Sequence, residues 1–351
     1  MPALDDEPRS VAIVRLRTGL GDLLCGVPGL RALRARLPEA HIALVTYAEM
    51  APVVERQRAY VDELIAFPGD PGIPERPPRS AEIEPFYAAM RARRLDLAIQ
   101  AYGARSAANA VTERLGARRT AGFFTPGGWE ADLATHIPYP IAEHEVRRHL
   151  RLMAHLGAPP CGEQLEFPLT AADEAAAEEV RRASGLAGGR YALVHPGATS
   201  PSRRWPAERF AAVADALAAA GLRVAVTGVA GEEAIAAEVV TAARSDVVDL
   251  TGRTGLGGFA ALLRGAAVLV ANDTGSAHLA AAVGTRSVVI FLAGDPVRWA
   301  APDRRRHRVA RVAVECNPCE HLVCPIDHRC ATRLPAERVA AEALDLVATA
   351  A

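Results

Sequence analysis

Lysine is absent from this chain. All 40 basic residues of the 351 are arginines, so any cationic site must be built from guanidinium groups. Charge of one sign is also missing. The formal net charge is −1, and arginines balance acids in each half, which excludes a basic nucleic-acid-binding surface. No apolar run reaches the roughly 18 residues of a membrane span. The most hydrophobic stretch is interrupted by Arg264 and by Asn272–Asp273. Six cysteines are too few for a secreted disulfide scaffold. The acidic stretch from Met1 to Arg9 carries no signal segment, so the expected location is the cytoplasm. What is present is a globular balance, with 50% hydrophobic and 23% charged residues, which excludes a disordered or collagen-like chain. At roughly 150 residues per domain, the length suggests two domains.

Apolar runs alternate with helical patterns along the chain. Val11–Leu16 reads as a buried strand, followed by a helix with Leu23, Leu24, Val27, Leu30, Leu33 and Leu37 on one face, ended by Pro38. Strands follow at 41–46, 61–67 and 95–100, with helices near 82–94 and 105–115. Residues 69–85 and 123–142 read as irregular, a helix spans 144–156, and 157–168 reads as a linker. The second half repeats the alternation, with strands at 191–195, 223–227, 247–250, 268–271 and 287–292. Its helices are at 206–220, 232–243, 258–264 and 276–283, and a last helix spans 335–350. Such βα alternation implies parallel sheets covered on both faces, with ligands at the carboxyl ends of the strands.

Several strand ends carry residues suited to chemistry. Gly19-Leu-Gly21-Asp22 opens the first helix, where glycine admits close backbone approach. Leu24 breaks the G-x-G-x-x-G dinucleotide fingerprint. Asp22 is either a general base or a helix N-cap. The loop His195-Pro-Gly-Ala-Thr-Ser-Pro-Ser-Arg-Arg-Trp205 supplies Thr199, Ser200, Arg203 and Arg204, a set suited to a diphosphate or simply to solvent. Asn272-Asp273-Thr274-Gly275-Ser276-Ala-His278 puts backbone N–H groups at a helix N-terminus, a second anion site. His278 is then a ligand contact or a structural histidine. Glu232 and Glu233 follow another strand and suit ribose hydroxyls or the helix dipole. Cys316, Cys319, Cys324 and Cys330 cluster with spacing that leaves zinc, disulfides and reduced thiols all open.

Together these motifs resemble glycosyltransferase family 9, the bacterial heptosyltransferases of lipopolysaccharide core synthesis. The resemblance rests on Arg15-x3-Gly19-x-Gly-Asp22 with Pro28-x-Leu30-x2-Leu33, on His195-Pro-Gly to Trp205-Pro206, and on Asn272-Asp-Thr-Gly275-x2-His278. Gly294-Asp-Pro296 and the Cys-x2-Cys…Cys-Pro stretch add to it. It covers nearly the whole chain. It implies a GT-B fold of two Rossmann-like domains with parallel sheets facing a cleft. Residues 1–165 would bind the acceptor and 166–334 the nucleotide sugar, with helix 335–351 packing back on the N-terminal domain. It further implies inverting, metal-independent transfer from an ADP-sugar, which is a substrate and not a cofactor, to a glycolipid or saccharide. Peripheral contact with the inner membrane would follow from a glycolipid acceptor. Asp22 stands where the family has its proposed base, with Gly19 and Gly21 beside the acceptor. Arg203 stands where a diphosphate-binding lysine is common, a departure that the absence of lysine explains, and Arg204 can share that role. Thr199, Ser200, Thr274, Gly275, Ser276 and His278 would line the diphosphate, and Glu232 and Asp273 the nucleoside and sugar. The acceptor's anionic groups would call on Arg56, Arg58, Arg118 or Arg119. Three other readings compete: a nicotinamide-dependent oxidoreductase, a non-catalytic sugar-nucleotide-binding protein, and a transferase using another sugar nucleotide or a small natural-product acceptor.

Overall fold

The computed structural model describes residues 4 and 6–349. The chain divides into two compact units, Met1–Leu165 and Glu166–Ala351. In the first unit, strands β1 (Ser10–Val14), β2 (His41–Thr46), β3 (Glu63–Ala66), β4 (Leu97–Gln100), β5 (Arg119–Phe124) and β6 (His136–Pro138) form one parallel sheet in the order β3-β2-β1-β4-β5-β6. Helices α1 (Leu20–Arg36), α2 (Ala51–Val54), α3 (Ser80–Ala92), α4 (Ser106–Arg114) and α5 (Glu145–Leu156) connect or follow these strands. β1 is buried from Val11 to Val14 and reads as a near-continuous apolar run, the pattern of a strand covered on both faces. One core cluster joins Ala12, Val14, Val45 and Ala98 of the sheet to Tyr87, Met90 and Val111 of α3 and α4.

The second unit repeats this order. Its sheet runs β9 (Val247–Asp249), β8 (Arg223–Val226), β7 (Tyr191–His195), β10 (Val268–Asn272), β11 (Ser287–Ile290), β12 (His307–Ala310), all parallel. Its helices are α6 (Ala171–Ala183), α7 (Ala207–Ala219), α8 (Glu233–Ala242), α9 (Leu256–Gly265), α10 (Gly275–Ala282), α11 (Pro296–Trp299), α12 (Arg329–Thr332) and α13 (Ala336–Ala348). Each unit is thus a doubly wound, Rossmann-like layer. In each, the order reverses beside the first strand, between β1 and β4 and between β7 and β10. The crevice at that reversal, beyond the carboxyl ends of the strands, is where such sheets receive ligands.

Several elements depart from the sequence reading. Residues 123–142, read as irregular, hold the end of β5 and all of β6, a strand of three residues too short to show a period. β12 was also not anticipated. α6 was passed over, although Thr170 and Asp173 form a capping box at its start. The last helix, expected against the N-terminal domain, packs within the second unit against α7 and strands β10–β12. Its Val339, Ala343, Leu346 and Val347 are buried in the core that also holds Phe210, Val213 and Leu217 of α7. That apolar stripe is used up inside the second unit.

Candidate active site

Asp22 lies in the first turn of α1, just beyond the end of β1 at the β1/β4 reversal. It is not the N-cap. Gly19 holds that position in extended conformation, and Asp22 is the third residue of the helix. A Cβ at Gly19 would stand 2.5 Å from Asp22 Oδ2 and would have to displace that carboxylate. Arg15, 4% exposed, grips Asp22 from behind. Its Nη2 donates to the Asp22 carbonyl at 2.9 Å and reaches Oδ1 at 3.5 Å. The same nitrogen meets Glu145 Oε1 at 3.1 Å, and Nη1 donates to the Ala101 carbonyl at 2.7 Å.

Glu145 joins this network from the first turn of α5. Its Oε2 accepts from Arg148 Nη1 at 2.6 Å, and Arg148 also donates to the Tyr139 hydroxyl. Burial alone would raise the Glu145 pKa, but His149 and the Arg15 and Arg148 guanidiniums outweigh it and hold the carboxyl well below the usual range. His149 is fully enclosed, and burial pushes its pKa down to about 4, so it is neutral at pH 7. Arg17 pairs with Glu75 at 2.8 Å, lies over the Tyr102 ring at 4.2 Å, and feels the charge of Asp22. Tyr102 donates to the same Glu75 oxygen at 2.7 Å.

The sequence reading missed Arg17, Glu75, Tyr102, Glu145 and Arg148. Glu145 is 130 residues from Arg15, so no local spacing signals it. Arg118 and Arg119, once candidates for the acceptor, sit at the amino-terminal edge of the sheet. They pair there with Asp96 at 3.3 Å and Asp6 at 2.6 Å, at the opposite strand ends from Asp22.

In the second unit, β7 and β10 run side by side with Ala271 opposite His195, so the loops that follow them leave together. Buried Asn272 ties these loops. Its Nδ2 donates to the Pro196 carbonyl at 2.7 Å, and its Oδ1 accepts from Trp205 N at 3.2 Å. Arg203 ends a short 3-10 turn at Pro201–Arg203 and brings Nη1 to 3.9 Å from Asp273 Oδ2. Asp273 is almost wholly buried, and burial pushes its pKa up to about 6 against the opposing pull of Arg203. Its Oδ2 has no hydrogen-bond partner. Gly294 lies against that oxygen, where a Cβ would come within 2.0 Å.

Arg204 Nε holds the Ala198 carbonyl at 2.9 Å, so part of this guanidinium shapes the loop itself. Thr199 is exposed and Ser200 half-buried in the same loop. Thr274 is the N-cap of α10, and its hydroxyl meets that of Ser276 at 2.9 Å, beside Gly275. His278 is buried and meets the Trp299 ring edge-on at 5.9 Å. Of the two acids after β8, Glu232 turns toward this loop, with Oε2 4.0 Å from His195 Nε2 and its carboxylate against Gly197. Glu233 instead accepts from Gly231 N at 2.8 Å. Among the described residues, no group of three or more His, Cys, Asp or Glu is arranged to hold a metal ion, and none of the six cysteines is joined in a disulfide.

Two Rossmann-like units in one chain are the fold of GT-B glycosyltransferases. Residues 85–329 match the model of glycosyltransferase family 9 (heptosyltransferase), and the chain belongs to that family. It is 33% identical over 101 residues to lipooligosaccharide heptosyltransferase 2 of Haemophilus influenzae, covering 27% of this chain and only 29% of that relative's length. It is 25% identical to lipopolysaccharide heptosyltransferase 3 of Escherichia coli, over 80% of this chain and 82% of that one. Among solved structures, a family 9 glycosyl transferase of Veillonella parvula superposes with a TM-score of 0.79 at 20% identity, over 97% of each chain. E. coli heptosyltransferase WaaC with ADP gives 0.67 at 22% identity, over 96% of this chain and 99% of that one. Family membership sets aside the oxidoreductase alternative.

Proposed function

We propose that this enzyme transfers a heptose, or a related sugar, from an ADP-sugar to a hydroxyl of a glycolipid or saccharide, with inversion and without a metal ion. The observation that carries this reading is the Asp22 carboxylate in the first turn of α1, held by buried Arg15. As the acceptor oxygen bonds to the anomeric carbon, Asp22 takes its proton. The bond from that carbon to the diphosphate breaks on the opposite face, and ADP leaves with the electron pair. Arg203, Arg204 and the α10 N-terminus at Thr274–Ser276 neutralise the charge that develops, the task a divalent cation performs in other transferases. Glu232 and Asp273 hold donor hydroxyls. The solved neighbour captured with ADP supports the choice of nucleotide. A glycolipid acceptor would bring the enzyme to the cytoplasmic membrane surface as a peripheral visitor. Among the described residues, no helix is long and apolar enough to cross a membrane.

The test is Asp22→Asn. The variant is expected to fold and to bind ADP as the wild type does, while turnover drops about 10²–10⁴-fold. Unchanged turnover would remove Asp22 from the role of base. Calorimetry with ADP, UDP, GDP and NAD in the presence of EDTA tests the donor. Selective ADP binding is expected, and binding only after metal is restored would overturn the metal-free mechanism.

A further inference from the structure

The cysteine-rich segment has no part in the chemistry above, yet its hydrogen bonds reach Ser202, next to Arg203, and Ala293, next to the Gly294 that confines Asp273. Ser202, 2% exposed and central in the Pro201–Arg203 turn, is held by this segment three times. Ser202 N donates to the Leu322 carbonyl at 3.0 Å, Ser202 Oγ donates to the His321 carbonyl at 2.5 Å, and His328 Nε2 donates to the Ser202 carbonyl at 2.9 Å. On the other side, Cys319 N donates to the Ala293 carbonyl at 2.9 Å. Ala293 precedes Gly294, the residue against which Asp273 Oδ2 rests. His328 makes its bond from a left-handed backbone, with φ 50° and ψ 39°. A non-glycine residue keeps that conformation where surrounding contacts over-determine it.

We propose that residues 316–328 are a brace for the donor site, with His328 as its positioning residue. Through Ser202 the brace fixes the turn that carries Arg203. Through Cys319 it fixes the turn that confines Asp273. The ligand it serves is the diphosphate of a nucleotide donor, and to that extent the inference rests on the reading of the second unit given above.

His328 combines a side-chain bond with an unfavourable backbone, and two variants separate them. His328→Gly relaxes the backbone and deletes the bond. His328→Gln keeps the backbone cost but retains an N–H donor of similar reach. ADP, UDP and GDP are titrated into the wild type and both variants. The nucleotide that the wild type selects should bind about tenfold more weakly to the glycine variant, the size expected for one lost hydrogen bond. The glutamine variant should stay within about threefold of the wild type, and the acceptor KM should not change in either. Wild-type affinity in the glycine variant, or equal weakening in both, would overturn the brace. Selection of UDP or GDP by the wild type would defeat the ADP reading and leave the brace tested with that nucleotide. Should the wild type bind none of the three, hydrogen exchange over residues 200–205 decides. Faster exchange in the glycine variant alone supports the brace, and unchanged exchange refutes it.

Discussion

Around Asp22 the first unit assembles its charges from its own residues. Arg15 bridges Asp22 and Glu145, and Arg148 closes on Glu145 from the far side. The second unit buries Asp273 about as deeply as the first buries Glu145, but the nearest guanidinium atom is 3.9 Å away on an Arg203 side chain that is 41% exposed. The electrostatic outcome is opposite. Pairing outweighs burial at Glu145 and holds it ionised, whereas burial wins at Asp273 and lifts it to about 6. The same strand order therefore supports two designs. Under the proposed mechanism, the carboxylate that acts as base is held in place by groups fixed beforehand, which costs no rearrangement during reaction. The carboxylate that the same proposal assigns to the donor keeps hydrogen-bonding capacity in reserve, with Oδ2 unpaired.

Breaking the pairing in the first unit should have the largest effect. Arg15→Met removes the shared cation from two carboxylates, and unfolding by urea should show a loss of about 3–5 kcal/mol. Equal stability would mean that Arg148 and His149 alone satisfy Glu145. Next come two glycines that sharpen the contrast. Gly19→Ala pushes on Asp22 Oδ2 and should lower kcat at least about tenfold while ADP affinity holds. Gly294→Ala pushes on Asp273 Oδ2 and should weaken ADP binding by about tenfold or more, with a smaller change in kcat. If both variants lost the same parameter, the division of labour between the units would be wrong.

The smallest effect is one of pH. Asp273 has a folded pKa above the ordinary carboxylate value, so its ionisation penalises the native state above about pH 6. That penalty fades as pH falls through 6 toward 4. Asp273→Asn should thus be more stable than the wild type at pH 8, by at most about 3 kcal/mol, with the gap closing near pH 4. Buried His149, His195 and His307, each pushed down to about 4, act in the other direction. Their stability is full above 6.5 and is lost as pH falls toward 4, in the variant and the wild type alike. The difference between the two proteins therefore carries the test, and an unchanged gap from pH 8 to pH 4 would contradict it.

Much of the fold was legible because its signals are local. Val11–Val14 is apolar throughout, Gly19-Leu-Gly21-Asp22 follows at once, and the same grammar repeats at His195 and at Asn272. Weak or short signals were lost, as with the three residues of β6 and the alanine-rich α6. The apolar stripe of α13 was visible, but a stripe does not name the surface that will cover it. Asp22, Arg203, Asp273 and Glu232 were legible as candidates by their place after a strand. Glu145, Arg148 and Glu75 were not, since they come from distant parts of the chain.

The order of residues was enough to decide the alternation of strands and helices, the two-unit plan, and which acids and guanidiniums stand at strand ends. These depend on side-chain periodicity and turn chemistry over a few residues. Only the tertiary structure decided that Arg15 is shared between Asp22 and Glu145, that Glu232 and not Glu233 turns toward His195, and that the cysteine-rich segment holds Ser202. Charge pairing and desolvation depend on distance and burial in space, and residues 130 positions apart carry no mark of either in their spacing.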